Sequence, residues 1–327
     1  MKNKEYASIL AMNSKPPILG IVVPCYNEEA ALSDSSTRLS DYLSQLIKAG
    51  EVTNASFIAF IDDGSRDDTW RIISDLAKGN MLFRGLKLSA NVGHQNALLA
   101  GLTTFKENAD CLISIDADLQ DDIEAIGDMI KKFKEGNEIV YGVRAVRKTD
   151  SFAKRFTAET YYKLLKIFGV KIVYNHADFR LMSKKALDAL VGFHEVNLFL
   201  RGLVPLLGFK TASVFYERKE RRFGVTKYPL KKMLKLAFDG ITSFSAVPLR
   251  MITVAGFLIF ILSLFMSAYV VFGYLFLKVV SGWASIVLPM YLLGGIQLLA
   301  IGIIGEYLAK IYIEVKDRPR FIIEERI

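Results

Sequence analysis

Two stretches near the C-terminus, residues 251–277 and 279–305, contain no charged residue and are parted only by Lys278. Each exceeds the roughly 20 residues that cross the hydrocarbon of a bilayer. No other feature limits the chain as severely, because a fold must either bury two long apolar helices or hand them to lipid. The sequence predicts an antiparallel pair of spanning helices, at 249–277 and 285–309, joined by an outer loop at 278–284. Arg250 precedes the first, and Lys310, Lys316, Arg318 and Arg320 follow the second. Positive charge marks the cytosolic side. The expectation is a multi-pass protein of the inner or plasma membrane, with its main domain, both termini and a tail at 310–327 in the cytosol. A buried hairpin of a soluble protein is the alternative, but these stretches are too long and too uniformly apolar for it.

Upstream the pattern changes. ILGIVV, SFIAFI, CLISI and EIVYGV are apolar, β-branched runs, and segments of helical character such as 34–48 and 69–78 lie between them. Strands alternating with helices predict an α/β domain with a Rossmann-like, mainly parallel sheet covered on both faces. It occupies residues 18–225, after an N-terminal extension at 1–17 that lacks the apolar core of a signal peptide. The net charge of +8 points to an anionic partner without choosing among phospholipid, nucleotide and nucleic acid. Cys25 and Cys111 fall in or beside apolar runs without metal spacing, as in a reducing compartment. Two segments mix basic and apolar residues as membrane-surface helices do. One spans about 152–168. The other, 226–248, carries Leu230, Leu234, Phe238 and Ile241 beside Lys231, Lys232 and Lys235. A surface helix packed on the domain fits the same pattern.

Three polar clusters each follow an apolar run: PCYNEE at 24–29, DDGS at 62–65 and DADLQ at 116–120. Ligands of open α/β sheets bind beyond the carboxyl ends of the strands, so the clusters are expected to converge on one crevice. Asp116 and Asp118 stand two residues apart, a spacing that returns both side chains to one side of an extended backbone. Such hard oxygen ligands suit Mg²⁺ or Mn²⁺ bridging substrate phosphates. Gln120 repeats the spacing and offers a third oxygen. A solvated turn capping the next helix would use the same residues; the other two clusters favour the metal. Asp62 or Asp63 is placed to accept hydrogen bonds from a base or ribose, with Gly64 permitting a sharp turn.

Together these motifs resemble the signatures of the family 2 glycosyltransferases, whose nucleotide-sugar domain is called GT-A. Within that family the chain is similar to the polyprenyl-phosphate glycosyltransferases, which include dolichol-phosphate mannose synthases and undecaprenyl-phosphate aminoarabinose transferases. The resemblance runs through GVRAVR at 142–147, HADFRLMS at 176–183, NLFLRGL at 197–203, RRFGVTKYPL at 221–230 and GEYLAKIY at 305–312. HADFR and NLFLRGL bring it nearest the bactoprenol glucosyltransferases. The resemblance implies that Pro24, Tyr26 and Glu28 line the nucleotide pocket, with Asp62 or Asp63 on the base or ribose. Asp116 would face the donor ribose or metal, and Asp118 and Gln120 would hold the divalent metal on the diphosphate. Arg144, Lys154, Arg155 and Arg201 become candidates for the acceptor phosphate, whose geometry a guanidinium fork matches. Asp178 joins Asp116, Asp118 and Arg144 among the catalytic candidates, without an assigned role. Arg222, Lys227 and Tyr228 are expected on a loop over the donor. His94 and His176 are read as structural.

The reaction so implied is inverting transfer of a hexose from a nucleotide-sugar to polyprenyl phosphate at the cytosolic membrane face, for cell-envelope glycan modification. UDP-glucose and undecaprenyl phosphate come first; GDP-mannose or a UDP-aminosugar are alternative donors. The implied partners are the donor, the lipid, the membrane and further copies of the chain in a homotetramer, with no nucleic acid. For that assembly the tail offers two β-prone runs, at 311–315 and 320–323, expected to pair with a neighbouring protomer. A processive polysaccharide synthase would need a Q-x-x-R-W motif that neither Trp70 nor Trp283 completes. A non-catalytic nucleotide-sugar binding protein would have no need of the paired carboxylates.

Overall fold

The computed structural model describes residues 15–145, 176–195, 198–217, 245, 247–276 and 282–327. The interfacial segment at 152–168 lies outside the described residues, as does nearly all of 226–248. The chain divides into an α/β unit, which includes the tail from Pro319, and a helical unit over most of the C-terminal region.

In the α/β unit, β1 (Leu19–Cys25) and β2 (Phe57–Asp62) are buried at every position. Continuous apolar runs of this kind form strands covered on both faces. Between them α1 (Glu29–Lys48) buries Leu32, Leu39, Leu43 and Leu46, one stripe at helical spacing. Next come α2 (Thr69–Gly79), β3 (Phe83–Leu88), α3 (His94–Phe105), β4 (Cys111–Ser114), α4 (Ala125–Lys134) and β5 (Ile139–Arg144). After them are β6 (His176–Ser183), α5 (Lys184–Val191), α6 (Leu200–Leu203) and β7 (Thr211–Tyr216), and the chain ends with β8 (Ile323–Arg326). The strand order is β7-β5-β6-β4-β1-β2-β3-β8.

This sheet is mixed, which corrects the expectation of a mainly parallel one. The pairs β1–β2, β1–β4, β2–β3 and β5–β7 are parallel. By contrast β6 is antiparallel to both β4 and β5, and β8 to β3. The crossover from β4 through α4 to β5 skips one strand position, and β6 fills it from the opposite direction. An apolar run looks the same read either way, so its direction was not legible.

The helical unit contains α7 (Val247–Phe276) and α8 (Trp283–Val315). Tyr307 on α8 donates to the carbonyl of Ser245, 2.6 Å away. Among the described residues one segment, Ile296–Val315, is long and apolar enough to cross a membrane. Among the described residues of α7, the apolar segment Val247–Ile259 is shorter than the roughly 20 residues required. The two-span hairpin, and with it the multi-pass localisation with both termini cytosolic, is not borne out.

The tail also differs from expectation. Residues 311–315 belong to α8, and β8 pairs with β3 of the same chain rather than a neighbour's strand. Gly85 and Ile327 exchange backbone hydrogen bonds of 2.9 and 3.0 Å. Trp70 Nε1 donates to Glu325, and Lys87 pairs with Glu324 at 2.9 Å. An open edge needs a cover, and the chain's own end supplies it.

Helix α3 crosses β1 and β2 at Gly101. A Cβ there would lie 2.6 Å from Val22 Cγ1 and 2.7 Å from Ile61 Cγ1, both fully buried. Glycine to alanine inside an open helix stabilises by about 1 kcal/mol; overpacking a core costs about 1–3 kcal/mol. Gly101→Ala is therefore expected to lower the thermal midpoint followed by circular dichroism. A raised midpoint would contradict the close approach.

Candidate active site

Strand β1 lies between β2 and β4, so the clusters that follow the three strands meet at one end of the sheet. The first two are knitted together. Backbone N–H groups of Asn27, Glu28 and Glu29 donate to Ser65 Oγ, Thr69 Oγ1 and Asp67 Oδ2. In return, Arg66 N donates to Asn27 Oδ1 and Asp68 N to Glu29 Oε2. Pro24 is buried in β1, Tyr26 is 45% exposed and Glu28 stands at the start of α1.

The adjacent aspartates of the second cluster have different tasks. Asp63 accepts from Val92 N at 2.7 Å and Gly93 N at 3.0 Å, which fixes the loop that enters α3. Asp62 accepts from Ser65 N through Oδ1, while its buried Oδ2 has no hydrogen bond among the described residues. Burial pushes both carboxyls up, against the hydrogen bonds that each accepts. Gly64 turns the chain with φ +66°, and a Cβ there would stand 2.6 Å from the backbone of Ala90 and Asn91.

The third cluster is a tight turn, not the extended backbone expected from its spacing. Leu119 N donates to the Asp116 carbonyl, Leu119 is left-handed with φ +44°, and Asp118 Oδ1 accepts from Gln120 N at 3.3 Å. A left-handed leucine is uncommon, and such backbone collects at functional sites. His94, read as structural, brings Nε2 to 3.4 Å from Asp116 Oδ1. Burial raises the Asp116 carboxyl; His94 opposes this, while Asp178, Asp121 and Asp118 reinforce it. With 42% of its side chain exposed, water moderates the rise.

The antiparallel β6 supplies the other half. Its first residues lie against the last residues of β4 and β5, with Arg180 in register with both Ser114 and Tyr141. Ser114 Oγ donates to the Asp178 carbonyl. The Asp178 carboxylate takes Arg180 Nη2 at 2.7 Å and Arg201 Nη2 at 3.0 Å on different oxygens. Arg180 is 2% exposed and also donates to the Leu200 carbonyl. At the end of β5, Arg144 pairs with Asp121, to which Tyr216 of β7 also donates. Arg144, Asp178 and Arg201 thus join the region of Asp116 and Asp118. Lys154, Arg155, Arg222, Lys227 and Tyr228 lie outside the described residues.

Reasoning from sequence missed His94, Asp121 and Tyr216. Asp121 had a signal, since it directly follows Gln120; Tyr216 had none, because only its register with Arg144 brings it in. Among the described residues no group of three His, Cys, Asp or Glu side chains is arranged to hold a metal. A Mg²⁺ or Mn²⁺ on a diphosphate does not need one, because one or two carboxylates suffice when phosphate and water complete the shell. Asp116 and Asp118 are the candidates for such a pair of hard oxygens. Gln120 is 6% exposed, which leaves its amide little access.

The Glycosyl transferase family 2 model matches residues 20–191. The chain is 52% identical over 317 residues to the uncharacterized glycosyltransferase YkoT of Bacillus subtilis, covering 96% of this chain and 93% of that protein. It is 40% identical over 309 residues to the SfII prophage-derived bactoprenol glucosyl transferase of Shigella flexneri, covering 94% and 97%. A solved glucosyl-3-phosphoglycerate synthase from Mycobacterium tuberculosis is similar over 71% of this chain and 79% of its own, with 19% identity and TM-score 0.46.

Removing the Asp178 carboxylate would strand Arg180 in the interior. Breaking one side of a buried pair costs about 3–5 kcal/mol, so Asp178→Ala is expected to destabilise by that order in denaturant unfolding at pH 7. Burial raises this carboxyl, but Arg201 and Arg180 outweigh it and hold the group below its ordinary value of 3.8. A lowered folded pKa stabilises fully above the unfolded value and fades as pH falls below about 4. The variant's deficit should therefore shrink only in acid. A wild-type midpoint at pH 7 would remove the network from the stability of the site.

Proposed function

The chain belongs to glycosyl transferase family 2, and on that footing we propose that it transfers a hexose from a nucleoside-diphosphate sugar to polyprenyl phosphate at a membrane surface. Its nearly full-length likeness to a bactoprenol glucosyl transferase carries this reading. Glucose is the favoured sugar and UDP-glucose the favoured donor; GDP-mannose and UDP-aminosugars are the alternatives. Assembly into a homo-oligomer belongs to the same proposal.

Asp62, whose Oδ2 accepts no hydrogen bond among the described residues, is the candidate for the donor base or ribose in this reading. Pro24, Tyr26 and Glu28 line the adjoining pocket in this reading. The main obstacle to the reaction is charge. Two unit charges about 5 Å apart repel by roughly 3 kcal/mol at an effective dielectric near 20, and acceptor phosphate must approach donor diphosphate more than once charged. Asp116 and Asp118 would hold a divalent ion that, when bound, shields the diphosphate as the nucleotide leaves. Arg144 and Arg201 would meet the acceptor phosphate.

No general base is required. A phosphate monoester has its second pKa near 6, so the attacking oxygen is largely deprotonated at neutral pH. The arrangement of Asp178 agrees with this: both its oxygens are engaged by arginines, so it positions cations and does not take a proton. Direct in-line attack at the anomeric carbon then inverts an α-linked donor to a β-linked lipid product.

Asp118→Asn is expected to lower turnover by on the order of 10²-fold and to weaken its dependence on added Mg²⁺ or Mn²⁺, with folding intact. Near-normal turnover would reject the metal role. A panel of nucleotide-sugars with undecaprenyl phosphate identifies the donor, and NMR of the product reads its anomeric configuration. An α-linked product would sink the inverting mechanism.

A further inference from the structure

Arg144 ends a strand, where a free arginine would sample many rotamers. It is held instead. Its Nε lies 3.2 Å from Asp121 Oδ1, and its Nη2 lies 3.1 Å from Oδ1 and 3.5 Å from Oδ2. The Tyr216 hydroxyl donates to the same Oδ1 at 2.7 Å and accepts from Arg144 Nε at 3.4 Å. The three groups close a ring. Two of them are rigid: Asp121 is 2% exposed, and Tyr216 is buried with its ring edge-on to Phe179, centroids 5.3 Å apart. Arg144 alone keeps a quarter of its side chain open. All these contacts use the Nε–Nη2 edge, and a planar guanidinium then directs Nη1 away from Asp121.

We propose that Asp121 and Tyr216 are positioning residues that set the orientation in which Arg144 takes the acceptor phosphate. This rests on the reading of Arg144 as a phosphate ligand. The pairing with Asp121 cancels the charge of Arg144, so the arginine acts through directed hydrogen bonds more than through net charge. Orientation then decides affinity, and the Tyr216 hydroxyl, buried and 72 positions from Arg144 in sequence, controls that orientation. A plain structural ion pair would instead spread its effect over the whole protein.

The test uses the full chain in detergent, with undecaprenyl phosphate and UDP as separate binding probes. Tyr216→Phe removes one hydroxyl and should weaken undecaprenyl phosphate roughly tenfold, with UDP affinity unchanged. In an Arg144→Ala background the same substitution should add nothing. Arg144→Lys keeps the charge but loses the fork, and should bind the lipid as poorly as Arg144→Ala. This arm stands even if Tyr216→Phe fails to fold. Unchanged lipid affinity in a folded Tyr216→Phe protein, an additive effect with Arg144→Ala, or a fully competent Arg144→Lys protein would each overturn the inference. If Arg144→Ala itself leaves lipid affinity intact, the acceptor role of Arg144 fails, and the inference with it.

Discussion

Strand β6 runs against β4 and β5, and its first residues therefore meet their last ones. Arg180 is in register with Ser114 and Tyr141, so Asp178 reaches past the end of β4. A strand of eight residues spans roughly 25 Å. Had β6 run parallel to its neighbours, Asp178 would stand near the opposite end of the sheet, roughly 20 Å from Asp116. The reversal thus supplies the arginine-rich half of the site. It also imposes a cost, because a carboxylate placed there is nearly buried and must be paired. Arg180 and Arg201 satisfy it, and the Leu200 carbonyl ties Arg180 to the segment that carries Arg201.

The site is consequently an alternation of charges. Asp178 is matched by Arg180 and Arg201, Asp121 by Arg144, and Asp116 has the weaker partner His94. Preorganised groups of this kind need not rearrange when charge moves, which is where most electrostatic catalysis arises. The same alternation explains why the two halves differ in rigidity of purpose. Carboxylates bound to arginines hold geometry, whereas Asp116 and Asp118 sit half-buried on a turn with a left-handed Leu119, and in the proposed reading they would take an ion that arrives with the substrate.

Much of this was legible in the chain. The runs ILGIVV, SFIAFI, CLISI and EIVYGV became β1, β2, β4 and β5, since a continuous apolar run bounded by polar turns has few other uses. The meeting of PCYNEE, DDGS and DADLQ followed from their common place after strands. Likeness of motifs identified the family and the class of reaction. Strand β3, with FRGLKL, was less apolar and passed unnoticed, and β8 was displaced by three residues from the run expected to form it.

Other features were decided only by tertiary structure. Strand direction made the sheet mixed, because the hydrogen-bonding edges of a strand serve either orientation and leave no mark on its apolar pattern. Register brought Tyr216 beside Arg144, a pairing between residues 72 positions apart. The tail found β3 of its own chain. Local residues determine which segments are strands, helices and acidic turns, because propensity and burial act over a few neighbours. Which segments lie side by side depends on contacts between distant parts of the chain, and these exist only once it has folded.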